Sequence, residues 1–209
     1  MQPELALPGT EPPGRCATAR ALAGGPMTLL LRDLPADIAA ALDAVPPDRL
    51  PKLRLRGRPG DMTAGLRPHL EAAGLGPTEL VHWLAEDAGR LAALFCTVSG
   101  ATEVLLRLEA VHTNACCRFH SDAVTLRLVS TYRGPGTEWL SPRAVARTPP
   151  GVPVPDSAIR QMPRGAIGLM RGSRNADAET PPVLHRSPPI EGSGEIRLFL
   201  AIDAAPPGN

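Results

Sequence analysis

The densest cluster of polar side chains in the 209-residue sequence lies between Asn114 and Asp122. His120 and Asp122 are two residues apart, so on a β-strand both would point to one face, about 6–7 Å apart along the chain. His185, after a separate run of prolines and apolar residues, is the best second histidine. Two histidines and a carboxylate with open coordination positions form the facial triad of non-haem iron sites. We therefore predict a metal centre at His120, Asp122 and His185; the alternative is a core histidine, His120, held by Asp122.

Two adjacent cysteines, Cys116 and Cys117, precede this pair and bear on which metal is bound. Thiolate ligands favour zinc, whereas imidazole and carboxylate ligands with open positions favour iron. On an extended strand Cys116 would lie about 13 Å from His120, so it could join the site only across a bend or bulge. Cys117 could approach only if the segment is not a regular strand. The alternative for each cysteine is a small buried hydrophobic residue.

Other polar residues near these positions could line a pocket. His112 and Asn114 share the strand face of His120 by their spacing, and loop hydrogen bonding is their alternative role. Further pocket candidates flank the turn predicted by the Gly-Pro-Gly sequence at 134–136. They are Tyr132, Thr137 and Glu138.

The elements that would position these residues change type near Gly100. Before it, apolar residues recur at spacings of three and four, which predicts helices over 35–45, 61–73 and 77–96. After it, apolar and polar residues alternate, which predicts strands. The clearest strand patterns cover 106–111, 124–132, 165–170 and 196–202.

Helices followed by antiparallel strands indicate an α+β fold. Short strands that do not alternate with helices suit a small barrel better than an open parallel sheet. We predict N-terminal helices packed on a double-stranded β-helix, that is, a jelly-roll or cupin-like barrel. The predicted organisation is a flexible tail (1–26), a single domain (27–203) and a second tail (204–209). Within the domain, 27–100 would form a helical flank and 101–203 the β-barrel core.

Composition narrows the class of function. The 22 basic and 21 acidic residues leave a formal net charge of +1, so a nucleic-acid partner, which favours a basic excess, is not expected. No apolar stretch approaches the length of about 18 residues that a membrane span needs, so no membrane association is predicted. We expect a cytoplasmic protein whose cysteines are reduced thiols.

The order of these features is similar to that of the iron and 2-oxoglutarate oxygenases, which use a double-stranded β-helix. His-x-Asp leads into one strand, a glycine-led strand precedes the second histidine, and Arg197 follows His185 on the last predicted strand. In that superfamily such an arginine binds the far carboxylate of 2-oxoglutarate, and a planar guanidinium suits a contact to both oxygens. The resemblance implies that Arg197 binds this co-substrate; a structural or solvated arginine on an edge strand is the alternative.

Three motifs also resemble the bacterial family called domain of unknown function 1826, over roughly Leu80 to Asp203. They are Asn114-x-Cys116-x-x-Phe119-His120-x-Asp122, Thr131-Tyr132-Arg133-Gly134-Pro135-Gly136-Thr137-Glu138-Trp139 and Leu184-His185-Arg186-Ser187-Pro188-Pro189. The family has no established activity. Its genes often lie near those of zinc-responsive metallochaperone GTPases, which implies a link to metal supply and a metallochaperone partner.

Three functions are open at this point. The first is an iron- and 2-oxoglutarate-dependent oxygenase that uses the triad. The second is a zinc-binding accessory protein of metal homeostasis without catalysis, and the third is a metal-free, cupin-like interaction domain. The sequence does not identify a substrate, and it does not decide between iron and zinc as the divalent metal.

Overall fold

Helices and strands interleave in the first half of the chain, and strands dominate the second half. The computed structural model describes residues 26–147, 154–177 and 179–206. The helices are α1 (Ala36–Ala44), α2 (Met62–Ala72), α3 (Thr78–Ser99) and α4 (Pro142–Arg147). The strands are β1 (Met27–Leu30), β2 (Lys52–Gly57), β3 (Val104–Val111), β4 (Leu126–Arg133), β5 (Glu138–Leu140), β6 (Ile159–Gln161), β7 (Ile167–Arg171), β8 (His185–Arg186) and β9 (Arg197–Ala204). Single turns of 3-10 helix cover Pro47–Arg49, Pro59–Asp61, Asp156–Ala158 and Ser173–Asn175.

The three predicted helices are confirmed as α1, α2 and α3. Helix α3 begins directly after Pro77, and it ends where Gly100 takes a left-handed conformation with φ 75°. The Gly100 backbone N–H donates to Cys96 O at 2.9 Å, which satisfies a carbonyl that the end of the helix would otherwise leave open. Its apolar stripe includes Leu84, Leu91 and Phe95, all of which are buried.

A large antiparallel sheet runs behind these helices in the order β1-β7-β4-β9-β3-β2. The prediction that 27–100 forms a helical flank is wrong in part, because β1 and β2 also lie in that range and form the two edges of this sheet. Strand β1 is short and almost wholly apolar, so it lacks the alternation that marks a strand. Strand β2 does alternate, but it pairs with β3 along its whole length, and this contact is distant in the sequence.

The main core lies between the helices and one face of the large sheet. Strand β9 shows how alternation builds it, because Leu198, Leu200 and Ile202 are fully buried against the helices. The residues that alternate with them along β9 point to the opposite face of the sheet. Arg197 and Asp203 belong to this second set, so they lie on the face that is turned away from the helices.

A smaller sheet, with strand order β6-β5-β8, covers part of that opposite face. A second, smaller core joins the two sheets: Met162, Val183 and Trp139 pack with Val129 and Ala201 of the large sheet. Inward-pointing side chains of both sheets therefore meet in one layer.

The ends of the predicted domain are only partly covered by the described residues. Strand β9 includes Ala204, so this residue belongs to the sheet and not to a C-terminal tail. Residues 1–25 and 207–209 lie outside the described residues, and the limits of the single domain, 27–203, stay a prediction. Among the described residues, every helix falls short of the length or the apolar character that a membrane span requires.

Candidate metal centre

The structure brings His120, Asp122 and His185 together from separate segments of the chain. One ligand atom of each residue lies within 4.8 Å of the other two. His185 Nε2 is 3.0 Å from Asp122 Oδ2, and His120 Nε2 is 3.9 Å from Asp122 Oδ1. Three N/O donors at this spacing could surround one divalent ion with bonds of about 2.0–2.2 Å.

Backbone pairing places the two imidazoles side by side. His185 lies in β8, and His120 forms an isolated antiparallel bridge with it. His120 N donates to His185 O at 3.0 Å, and His185 N donates to His120 O at 2.9 Å. Side chains of directly paired antiparallel residues share a face, and the two ring centroids are 4.7 Å apart.

Asp122 reaches the histidines from a loop, so the prediction that it shares a regular strand with His120 is wrong. Residues 121–125 form no strand, although His120 takes part in the bridge. Ser173 instead anchors the loop, because its backbone N–H and its hydroxyl donate to Asp122 O at 2.8 and 3.1 Å. Gly172 allows this close approach, since a Cβ at that position would collide with Val124 O.

Hydrogen bonds on the far side of each ring direct the Nε2 atoms towards Asp122. His120 Nδ1 lies 2.8 Å from Arg118 O, and His185 Nδ1 lies 3.3 Å from Val183 O. A carbonyl oxygen can only accept, so each Nδ1 carries a proton and donates it. In a neutral imidazole the lone pair is then on Nε2, which is the arrangement that a metal ligand needs.

Asp122 is ionised and partly shielded from water. Burial raises the pKa of its carboxyl, but the neighbouring His185 and the charge of Arg127 outweigh burial and lower that pKa to about 2. Its Oδ2 atom is buried and accepts no hydrogen bond of good geometry. Two arrangements would satisfy this oxygen: a proton on His185 Nε2, or a cation between Oδ2 and the two neutral imidazoles. The donor set thus fits a divalent metal.

Arg127 and Asp203 hold the carboxylate of Asp122 in place, although neither was among the residues predicted from the sequence. Arg127 Nη1 forms an ion pair with Asp122 Oδ1 at 2.6 Å. Its Nε and Nη2 atoms donate to the two oxygens of Asp203, each at 2.7 Å. Arg127 and Asp203 are direct partners on β4 and β9. The available signal was a charged residue at an inward-facing position of each alternating strand.

Arg197 is a buried cation on β9, with only 1% of its surface exposed. Its Nε donates to Pro135 O at 2.7 Å and its Nη1 to Ser187 Oγ at 2.8 Å. Its Nη2 donates to Thr131 Oγ1 at 3.3 Å and to Thr137 Oγ1 at 3.2 Å. All four acceptors are neutral oxygens. Burial lowers the pKa of Arg197 to about 10, although the charge of Glu138 opposes this shift, so the guanidinium is still charged at neutral pH.

The Gly-Pro-Gly turn wraps around this arginine. Gly134 has φ 75°, and a Cβ there would collide with Ile196 O, directly before Arg197. A Cβ at Gly136 would likewise collide with Met162 O. The glycines thus let the turn lie close enough for Pro135 and Thr137 to contact the guanidinium.

The other pocket candidates do not gather around the triad as one set. His112 is exposed and lies beside Ile190 and Ile196 in a separate groove. Asn114 is exposed, and its side-chain oxygen accepts from Glu191 N at 3.1 Å. Cys116 is exposed with φ 58°, and Cys117 is half-buried; both are free thiols.

The three candidates around the turn have distinct positions. Tyr132 is buried on the helix side of β4, where its hydroxyl donates to Asp87 at 2.7 Å. Thr137 contacts Arg197, as described above. Glu138 accepts from Arg186 Nε at 2.5 Å, and the Arg186 guanidinium lies 4.6 Å from the centre of the Phe119 ring.

Solved structures similar to this chain include 2-oxoglutarate oxygenases. The dioxygenase for auxin oxidation 1 from Arabidopsis thaliana, in complex with 2-oxoglutarate, superposes with a TM-score of 0.53 at 10% identity, covering 93% of this chain and 88% of the other. A prolyl-4-hydroxylase from Pseudomonas putida gives 0.46 at 16% identity, covering 95% and 97%. The first comparison shows a shared fold of helices and antiparallel sheet, and at such low identity the likeness concerns the fold alone.

The sequence comparisons identify a family but no characterised relative. No curated protein matches the chain. The profile of a family described as "Protein of unknown function (DUF1826)" matches residues 22–203. This match covers most of the sequence and includes the triad, the Gly-Pro-Gly turn and Arg197, and the chain therefore belongs to the DUF1826 family.

Proposed function

We propose that this protein is a non-haem iron oxygenase that uses 2-oxoglutarate and is built on a double-stranded β-helix. His120, Asp122 and His185 hold the metal, and Arg197 binds the co-substrate. The observation that carries the proposal is the pairing of an N/O triad with a buried arginine whose hydrogen-bond acceptors are all neutral. His185 lies in the smaller sheet and Arg197 in the large sheet, and Arg197 donates to Ser187, two residues after His185.

The metal half of the proposal rests on the donor atoms. His120 and His185 present Nε2 because their Nδ1 protons are committed to backbone carbonyls. Asp122 presents a buried oxygen that lacks a hydrogen bond. Three protein ligands leave coordination positions open for other molecules, which is the pattern of a catalytic centre and not of a closed structural one.

The co-substrate half rests on the charge balance around Arg197. A buried charge is costly unless it is paired, and neutral hydroxyl and carbonyl oxygens compensate it only in part. A carboxylate that enters this site would complete the pairing through two parallel hydrogen bonds. Thr131, Thr137 and Ser187 could donate their hydroxyl protons to the same anion while they still accept from Arg197.

With ferrous iron and 2-oxoglutarate bound, the site would supply oxidation of a substrate by dioxygen, coupled to oxidative decarboxylation of the co-substrate to succinate and carbon dioxide. The chain itself would do three things. The triad would fix the metal through one atom of each side chain, Arg197 would orient the co-substrate by its far carboxylate, and the apolar layer of Val129, Met170 and Ala201 would keep water away from the inner end of the site.

A zinc-binding accessory role is the competing proposal, because imidazole and carboxylate also suit zinc. In the described residues, the donor cluster contains no cysteine that would add a thiolate and favour zinc. Storage or delivery of a cation does not need an anion-binding group such as the buried Arg197. A metallochaperone partner stays a prediction.

The test is anaerobic loading of protein purified without a histidine tag with ferrous iron and then 2-oxoglutarate. The oxygenase proposal predicts a visible charge-transfer band and slow succinate formation in air. Arg197→Gln should lose the band but keep iron binding, while Arg56→Gln, which changes an exposed arginine on β2, should behave as wild type. If wild-type protein binds iron but no 2-oxoglutarate, and therefore behaves as Arg197→Gln does, the result would favour the zinc-handling role.

A further inference from the structure

The two oxygens of Asp122 have different surroundings. Oδ1 forms an ion pair with Arg127 Nη1 at 2.6 Å, whereas Oδ2 faces His185 Nε2 at 3.0 Å and accepts no hydrogen bond of good geometry. Oδ1 is thus paired with Arg127 and lies 3.9 Å from His120 Nε2, whereas Oδ2 faces His185 alone. A free carboxylate could bind a metal through either oxygen or through both.

Arg127 is itself held in one orientation. Its Nε and Nη2 atoms make a two-point contact with Asp203, 2.7 Å for each bond. This contact uses one edge of the planar guanidinium, so Nη1 is aimed at Asp122 and cannot turn away without breaking a bond. The register of β4 with β9 places Arg127 directly opposite Asp203, so the sheet itself fixes the pair.

The backbone of Asp122 is also fixed. Ser173 donates two hydrogen bonds to Asp122 O, so this residue is held at its carbonyl and at Oδ1. Rotation of the carboxylate to present both oxygens would break the contact with Arg127.

We propose that Arg127 and Asp203 form a positioning pair that makes Asp122 a one-oxygen ligand and thereby sets the metal affinity of the site. This inference rests on the proposed function only in requiring that the triad binds a metal. Neither residue belongs to the donor cluster, so each would act through Asp122. Restricting Asp122 to Oδ2 would keep open a coordination position that a second carboxylate oxygen would otherwise fill.

Asp203 also has an electrostatic role in this pair. Arg127 places a positive charge beside a site for a divalent cation, and Asp203 neutralises that charge at 2.7 Å. Removing the carboxylate charge of Asp203 would both release the guanidinium and leave its charge opposed to the metal. Both effects weaken metal binding.

The test uses Co²⁺ as the probe, because its visible bands report coordination without any turnover. Asp203→Asn and Arg127→Lys should each bind Co²⁺ about 10- to 100-fold more weakly than wild type, with altered bands. Both variants also weaken a largely buried ion pair and should unfold at a lower temperature, so Co²⁺ binding is compared at a temperature at which every metal-free variant is folded. Glu103→Gln is the matched control, since it neutralises the carboxylate of an exposed pair with Arg56 on the same sheet. It should bind Co²⁺ as wild type does.

Arg127→Met separates positioning from charge. If Arg127 acted only by its charge, its removal would tighten Co²⁺ binding; as a positioning residue, its removal should loosen binding and change the bands. Wild-type affinity and bands in Asp203→Asn and Arg127→Lys would overturn the inference and leave the triad intact. Wild-type protein that binds no Co²⁺ would instead overturn the proposed metal centre, and the positioning role with it.

Discussion

His120 and His185 are joined twice, by a pair of backbone hydrogen bonds and by the contact of their rings. The backbone bonds measure 3.0 and 2.9 Å, and the ring centroids are 4.7 Å apart. Strand β8 pairs with β5 on one side, and the bridge adds His120 on its other side, at the edge of the smaller sheet. It means that the spacing of the two imidazoles is set by sheet geometry and does not depend on an ion, so we expect the triad to be preorganised before metal binds.

The turn around Arg197 should be intolerant of any side chain at Gly134. Gly134→Ala imposes a left-handed alanine and also a collision with Ile196 O. Gly192 has a similar φ of 82° but nothing within 4 Å of its Cβ position, so it is the matched control. Gly192→Ala should cost about 1–2 kcal/mol, and Gly134→Ala about 1–3 kcal/mol more, in urea unfolding. Equal losses in the two variants would show that the close approach is unimportant.

The hydroxyl of Thr137 should matter more than its methyl group. It accepts from the buried Arg197 guanidinium at 3.2 Å. Thr137→Val keeps the shape but leaves a buried charged donor without this acceptor, which should cost about 1–3 kcal/mol of unfolding free energy. Thr137→Ser keeps the hydroxyl and should lose clearly less stability. If the two variants are equally destabilised, packing of the methyl group accounts for the effect.

A buried ion pair on the helix side should give the fold an acid-sensitive step. Asp87 accepts two hydrogen bonds from Arg32, at 2.6 and 2.8 Å, and one from Tyr132. Burial raises the pKa of Asp87, but the bonds and charge of Arg32 outweigh burial and lower it below its ordinary value. A carboxyl with a lowered folded-state pKa stabilises the fold above its unfolded pKa of about 3.9, and this contribution is lost as the pH falls through the folded-state pKa.

Asp87→Asn should therefore destabilise the protein by about 3–5 kcal/mol at neutral pH, because it leaves Arg32 without its charged partner. The loss should shrink in acid, as wild type gives up the same contribution. Glu86→Gln, at an exposed position of the same helix, should change stability by no more than about 1 kcal/mol. Unfolding curves measured from neutral to acidic pH check both expectations. A constant difference between wild type and Asp87→Asn across that range would contradict them.

Residues 27–203 should resist limited proteolysis as one unit. Strand β1 pairs with β7, and β2 pairs with β3, so the N-terminal part of the chain supplies both edges of the large sheet. Cleavage within 27–100 should expose both cores and lead to complete digestion. Release of a stable fragment that covers 27–100 would contradict a single domain.

The sequence predicted what depends on local periodicity and missed what depends on pairing between distant segments. Helix α3 was evident from its apolar spacing and the following Gly100, and β9 from its alternating leucines. Strands β1 and β2 were missed, because a short edge strand owes its structure to the neighbour with which it pairs. The order of histidine, aspartate and histidine along the chain predicted that they would converge.

The geometry of the site could not be read from the sequence in the same way. Asp122 is aimed by Ser173, and Arg127 meets Asp203 through the register of β4 with β9; both contacts join residues far apart in the chain. Tyr132 shows the opposite case, since it lies inside a motif of interest but faces the helices. The alternation of residues along one strand predicts which side chains share a face of the sheet. It does not predict which other elements pack against that face.

The most direct test of the central claim is the stoichiometry of metal binding under anaerobic conditions, measured with ferrous iron on untagged protein. We predict one ferrous ion per wild-type chain and none for His185→Ala or Asp122→Ala, with His112→Ala, an exposed histidine outside the cluster, binding as wild type. Wild-type protein that takes up no metal, or a His185→Ala variant that still binds one ion with wild-type affinity, would contradict the metal centre.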